Sequence, residues 1–239
     1  FVDYLPFIKR RIQENPQMFN EWEQKVLTTR GLIFLNQPQN GVILVNSTRI
    51  LGFRGNDSVE LSNAMVNGRR QIETIFRFMK TFFPGFENSI IMDTGSLLGL
   101  RESRRVVGDY VFLEKDISAA TRFDDAVVSN NGGIEIHSPT GFGLTAGQAG
   151  SRAAGRLGKG EYYHVPYRSI IVRDFNNLFV AGRCFSADHP ALSAARNIAY
   201  CIALGQAAGS AGAQLVKTGK TNVREIDIRA LQEKLKDIL

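Results

Sequence analysis

The residues best suited to chemistry lie late in the chain, in Asn177-Leu-Phe-Val-Ala-Gly-Arg-Cys-Phe-Ser186. An apolar run from Leu178 to Ala181 meets Gly182-Arg183-Cys184, and beyond Pro190 comes a stretch of small residues that includes Ala194, Ala195, Ala199, Gly205 and Gly209. A strand, a glycine turn and a helix start, in that order, can hold an electron-rich cofactor. The first N–H groups of a helix are unpaired, and its dipole favours negative charge there. A second group is Leu100-Arg-Glu-Ser-Arg-Arg105, in which Arg101 or Arg104 can grip a carboxylate or phosphate through two parallel hydrogen bonds. Neighbouring side chains on an extended backbone point to opposite faces, so only some of these residues can serve one site. A structural ion-pair network around Glu102 is the competing reading.

Histidine supplies the proton chemistry available near neutral pH, and the chain has three: His137, His164 and His189. No two have the spacing of a metal site, so none is expected. Tyr167-Arg168 is expected on a strand, where it can face a ligand or serve the core. Cys184 has no cysteine near it in sequence; the other one is Cys201. Packing as a small residue is therefore expected of Cys184 rather than redox chemistry. Gly141-Phe-Gly143-Leu-Thr-Ala146 fits a relaxed dinucleotide fingerprint, but no buried strand leads into it and a glycine-rich stretch follows. It reads as part of a mobile loop from Thr140 to Gly160.

These residues need elements to position them. Residues 1–29 read as helical with a break near Pro16, and Gly31–Leu35 and Gly41–Ile50 as strands around a polar turn. Asp57 and Glu60 have capping-box spacing ahead of a helix whose apolar residues, from Leu61 through Ile72, Ile75 and Met79, recur at helical period until Pro84-Gly85. Strands are expected over Ser89–Met92, Tyr110–Leu113, Gly133–His137 and Tyr163–Val172, with a short helix over Lys115–Ala120. After the glycine turn one long helix is expected, its small face (Gly205, Gly209) allowing another backbone to approach closely. Asp227 caps a last helix with Ile228, Leu231, Leu235 and Ile238 on one face. Strands come mostly first and the long helix last, which excludes a regularly alternating parallel α/β domain and points to a mixed α+β domain before about residue 172.

Composition narrows the class. With 239 residues, 44% hydrophobic and 22% charged, the chain has the make-up of a globular protein with a sizeable core. The net charge of +6 is spread along the chain, with no basic stripe interleaved with aromatics, so nucleic acid is not an expected partner. Residues 197–216 carry no charge but are too rich in Gly, Ala and polar residues for a membrane span. The first residues show no signal-peptide pattern, and two cysteines make no disulfide framework, so a reducing, cytoplasmic setting is expected.

Several blocks, taken together, carry a family resemblance. Val45-Asn-Ser-Thr-Arg49, Asn67-Gly-Arg-Arg-Gln71, Pro84-Gly-Phe-Glu-Asn88, Gly99–Arg105, Gly108-Asp-Tyr110, Val165-Pro-Tyr-Arg-Ser169, Asn177–Ser186 and Ala203-Leu-Gly-Gln-Ala-Ala-Gly209 follow one another in the order they take in the C-terminal half of FAD-dependent oxidoreductases. That family shares its architecture with the glutathione-reductase-like and fumarate-reductase-like flavoproteins. The resemblance implies a mixed-sheet substrate or cap domain over residues 1–174. It also implies a C-terminal strand–helix piece, 175–239, of a Rossmann-like FAD-binding domain. Gly182, Arg183, Cys184, Ser193, Arg196 and Asn197 would then line FAD, while Arg101, Arg104, His137, Tyr167 and Arg168 would act on a small-molecule substrate. The reaction implied is hydride transfer between flavin and a small, anionic organic substrate. The family's N-terminal G-x-G-x-x-G unit has no equivalent among these residues. The chain is therefore expected to be part of a longer enzyme, weak in FAD binding and inactive by itself, with an open sheet edge that can pair with the missing half or with a second copy. A binding or assembly module that never carries flavin is the alternative.

Overall fold

A computed structural model describes residues 3–137, 144–146 and 157–239, with the backbone alone at 137 and 144–146. Among them the helices are joined by three two-stranded antiparallel sheets. The chain divides into two compact units, with a division between Leu100 and Arg101. The second has one shared core. Residues on both sides of position 174, such as Val165 and Ile170 with Leu192 and Leu204, are buried in one hydrophobic cluster.

The first unit holds α1 (Leu5–Glu14), α2 (Glu21–Arg30), the hairpin of β1 (Phe34–Asn36) and β2 (Ile43–Val45), and α3 (Ser58–Phe82). Its core is aromatic. Phe78 is fully buried, and Phe83 stands edge-on to Phe7 and Phe34 with ring centroids 5.1 and 5.4 Å apart. Such pairs add about 1 kcal/mol each beyond the area they bury. The Asp57 carboxylate caps α3 as expected, accepting from the Val59 and Glu60 amides at 3.0 Å. The capping box does not close, because Glu60 turns instead to the Arg54 guanidinium at 2.7 Å. The expected strand over Ser89–Met92 is irregular backbone, its first amide donating to the Phe86 carbonyl at 3.0 Å.

The second unit holds α4 (Glu114–Ser118), β3 (Ala126–Asn130), β4 (Ile136–His137), β5 (Leu144–Ala146), β6 (Tyr163–Pro166), α5 (His189–Ala195), α6 (Ile198–Thr218) and α7 (Ile228–Lys234). β3 pairs antiparallel with β6, and β4 with β5. The strand expected to run on to Val172 stops at Pro166 and turns through a 3-10 turn, Tyr167–Ser169. The expected strand Leu178–Ala181 is likewise reduced to a bridge between Phe179 and Ile171.

The long helix is two helices. Asn197 has an extended backbone (ψ 161°), and its side chain accepts from the Tyr200 amide at 2.9 Å, so it starts α6 rather than continuing α5. Asparagine competes with the backbone for hydrogen bonds and so favours a cap over a helix interior. On α6 Tyr200, Leu204, Ala207, Ala211 and Leu215 are buried, while Gly205 and Gly209 face outward with no atom within 4 Å of a Cβ added to either. The close approach expected of the small face is thus not made among the described residues. No described helix is long and apolar enough to cross a membrane.

The second unit is organised by the segment from Val106 to Leu113, which lies between two other backbones. On one side the Val106 and Phe112 amides donate to the Cys184 and Ser186 carbonyls at 2.9 and 3.0 Å. On the other, the Tyr110 amide donates to the Arg168 carbonyl at 3.1 Å and the Arg173 amide to the Val107 carbonyl at 3.0 Å. Gly108 sits at the crossing. A Cβ there would lie 2.9 Å from the carbonyl oxygens of Arg168 and Ile171 and from the Ser186 Cβ. Gly108→Ala must push backbone apart, and chemical denaturation should show a loss of about 2 kcal/mol or more. An unchanged midpoint would refute this account of the crossing.

Candidate functional site

Where the Val106–Leu113 segment meets Cys184–Asp188, the chain's chemically able residues gather. Gly182 takes a left-handed conformation (φ 82°), which turns the backbone after Ala181 and presents Arg183 and Cys184 to solvent. The turn leads to Asp188, whose amide donates to the Phe112 carbonyl at 2.8 Å. One Asp188 carboxylate oxygen caps α5 at the Ala191 amide, 2.8 Å away, and the other accepts from the Glu114 amide at the start of α4. Asp188 thereby fixes the first residue of α5, His189, and through that helix the position of Arg196.

Here the Arg196 guanidinium lies in the field of two others, Arg101 and Arg183. Burial lowers the proton affinity of Arg196 below its ordinary value, and Arg101 and Arg183 lower it further, while Glu102 and Glu135 oppose the shift. The Arg196 guanidinium donates to the Glu135 carbonyl at 3.1 Å. Arg101 and Arg183 are exposed and have no hydrogen bond or ion pair among the described residues. A desolvated arginine beside two unpaired ones is a field that favours an anion. Glu102 is fully engaged: one oxygen pairs with Arg105 at 2.8 Å and the other meets Nδ1 of His189 at 2.6 Å. A carboxylate on Nδ1 orients the ring and leaves its other nitrogen to exchange a proton.

The expected site residues therefore separate into groups. Arg101, Arg183 and Arg196 come together, with Gly182 and Cys184 on the adjoining turn. Ser193 is buried and structural: its hydroxyl donates to the Pro190 carbonyl at 2.7 Å and accepts from the Glu135 amide at 3.0 Å. Asn197 spends its side-chain oxygen on the α6 cap. Arg104 is exposed and without an ionic partner among the described residues. His137 ends β4, and its side chain lies outside the described residues, as does most of the Gly141–Ala146 match.

Tyr167 and Arg168 serve another place. The Tyr167 hydroxyl donates to the Val223 carbonyl at 2.6 Å, and burial raises its pKa above the ordinary value. Arg168 grips Asp125 with two hydrogen bonds, 2.9 and 3.2 Å, and lies 5.3 Å from the centre of the Tyr110 ring. Both residues line a groove of about 570 Å³ whose other charges include the Arg224–Asp109 pair at 2.7 Å. The 3-10 turn at Tyr167–Ser169 sends Tyr167 into the core, where an alternating strand would have left its direction open.

The ion-pair network around Glu102, the competing reading of the arginine-rich segment, is present through Arg105. Sequence spacing missed its other partner, His189, which was one of three histidines with nothing to single it out. Asp188-His-Pro190 did carry a helix-start signal, an N-cap followed by Pro in the first turn, and that signal would have placed His189.

Two measurements check these assignments. Tyr167→Phe leaves the buried Val223 carbonyl without its donor and should cost about 1–2 kcal/mol in unfolding free energy; full stability would contradict it. His164 is held below its ordinary pKa by burial and by Arg122, whose guanidinium lies 3.2 Å from Nε2. The unfolded chain therefore takes up a proton that the folded chain declines. Above the ordinary histidine range this has no effect; as pH falls through that range toward the lower folded value, stability is lost. His164→Gln should flatten the fall in unfolding free energy between about pH 7.5 and 5.5, and an unaltered slope would exclude His164 as its source.

A family profile described as FAD dependent oxidoreductase matches residues 3–235. No curated protein matches, and no solved structure matches.

Proposed function

The chain belongs to the FAD-dependent oxidoreductase family, and from that premise we propose that the Arg101–Arg183–Arg196 cluster faces the flavin end of FAD and a small anionic substrate. The observation that carries the reading is the convergence of three guanidiniums, two of them unpaired among the described residues, beside a left-handed glycine turn. The residues fit the cofactor chemically. Gly182 lets an anionic ligand approach the backbone, since the nearest atom to a Cβ added there is the Cys201 sulfur at 3.9 Å. The arginines answer negative charge that their own carboxylates do not neutralise.

When bound, FAD would supply the redox chemistry, with hydride passing between substrate and flavin. The chain's own residues do the rest. Arg101 and Arg183 bind and orient anionic groups by charge-assisted hydrogen bonds. Arg196, half-buried, adds a fixed positive field that favours charge developing in the transition state. His189, aimed by Glu102, exchanges the substrate proton at Nε2. Cys184 borders the turn, and Asn197 keeps α6 starting where it does. In this reading residues 175–239 complete an FAD-binding domain. The fingerprint that would hold the ADP end is not among these 239 residues, so they are assigned the flavin end alone.

Arg183→Ala is the direct test, because the side chain is exposed and its removal breaks no internal bond. Affinity for FAD, or for an anionic substrate in the flavin-loaded protein, should fall tenfold or more, with an unchanged melting temperature. A tenfold loss corresponds to about 1.4 kcal/mol. Undiminished affinity for both, or a protein that never shows flavin absorbance with added FAD, would overturn the reading.

A further inference from the structure

The two cysteines, distant in sequence, border the same peptide group. The Cys184 sulfur lies 3.6 Å from the Ala181 carbonyl oxygen. The Cys201 sulfur lies 3.9 Å from where a Cβ on Gly182 would stand, and 3.6 Å from the Arg196 carbonyl oxygen. Gly182 has no side chain to stand between them. Cys184 is exposed and on a turn, Cys201 is half-buried on the first turn of α6, and each is a free thiol. The turn that carries Cys184 is closed by the Phe185 amide on the Gly182 carbonyl at 3.3 Å and anchored by the Val106 amide on the Cys184 carbonyl at 2.9 Å, so closure falls to rotation of the two cysteine side chains.

We propose that Cys184 and Cys201 are a peroxide-responsive thiol pair that closes to an intramolecular disulfide across the Gly182 turn. Cys184, the accessible partner, attacks a hydroperoxide as the thiolate. One peroxide oxygen goes to its sulfur as a sulfenic acid, and the other leaves with a proton as water, or as the alcohol from an organic hydroperoxide. Cys201 then attacks the Cys184 sulfur, the S–S bond forms, and the sulfenic oxygen leaves with the Cys201 proton as a second molecule of water. Two thiols lose two electrons in all, and the peroxide gains them. Burial holds the Cys201 thiol above its ordinary pKa while Arg183 pulls against it. That suits a resolving thiol, quiet until a sulfenic acid forms beside it. The bond ties the turn carrying Arg183 to the helix that starts beside Arg196, so oxidation fixes the spacing of the cationic cluster. The pairing rests on the placement of the sulfurs and does not depend on flavin binding.

The test uses the reduced, desalted protein treated with one equivalent of hydrogen peroxide. Cleavage by trypsin after Arg183, Arg196 and Lys217 puts the thiols on adjacent peptides, 184–196 and 197–217. The expected product is these two peptides joined, lighter by two hydrogens than their sum and separated by reductant, in protein that remains one chain on a non-reducing gel. In Cys201→Ser the sulfenic acid on Cys184 should persist and be trapped by dimedone. In Cys184→Ser the Cys201 thiol should survive the same dose. Wild-type protein whose Cys184 proceeds to the sulfinic acid while Cys201 stays alkylatable, or whose disulfide joins only separate chains, would overturn the proposal. The wild-type peptide map decides this even if a variant fails to fold.

Discussion

The second unit depends on how closely three backbones can pass at Gly108. A side chain there would meet two carbonyl oxygens and the Ser186 Cβ at 2.9 Å, so the crossing exists only because the residue is glycine. Once the Val106–Leu113 segment is threaded, its two edges set what lies beside it. One edge holds Arg168 and Arg173, and with them the 3-10 turn that buries Tyr167. The other holds Cys184 and Ser186, and with them the Gly182 turn and Asp188. The cationic cluster is the far consequence of this close approach.

Polar side chains carry that consequence outward. Asp188 ties the starts of α4 and α5 together, so the position of His189 follows from the crossing. Asp116 does the same on the near side, accepting from the Tyr110 hydroxyl and the Leu113 amide, each at 2.9 Å. Arg224 closes the opposite rim, spanning Asp109 and the carbonyls of Val172, Arg173 and Phe175. Arginine can do this because its planar head offers five donors, so one side chain satisfies a carboxylate and several carbonyls at once. Arg101 and Arg183 are the contrast: the same group, left without partners among the described residues, where a ligand's charge can complete it.

Much of the fold was legible in the residues. Asp57 and Asp227 cap the helices they were expected to cap, Pro84-Gly85 ends α3, and Leu231 and Leu235 are buried on α7. Local chemistry suffices for such features, because a cap or a breaker acts on its own turn. The strands were less legible. Tyr163–Val172 has the composition of one strand, yet it bends after Pro166 to pass the Gly108 crossing, a constraint that no periodicity within the segment records. The break between α5 and α6 was available from Asn197, but the surrounding alanines and glycines masked it.

The sequence by itself determined the family, and it determined which residues could bind charge or move a proton. It could not determine which of them work together. Arg101 and Arg196 are separated by most of the second unit, and Cys184 and Cys201 by a turn, a helix and a cap. Only the tertiary structure decided that Arg101 and Arg183 act on Arg196 and that both cysteines border the Gly182 turn, because backbone packing at Gly108 and the caps at Asp188 and Asn197 set those positions. The same packing sent Tyr167 and Arg168 to other partners, the Val223 carbonyl and Asp125, although their types and spacing suited the site equally well.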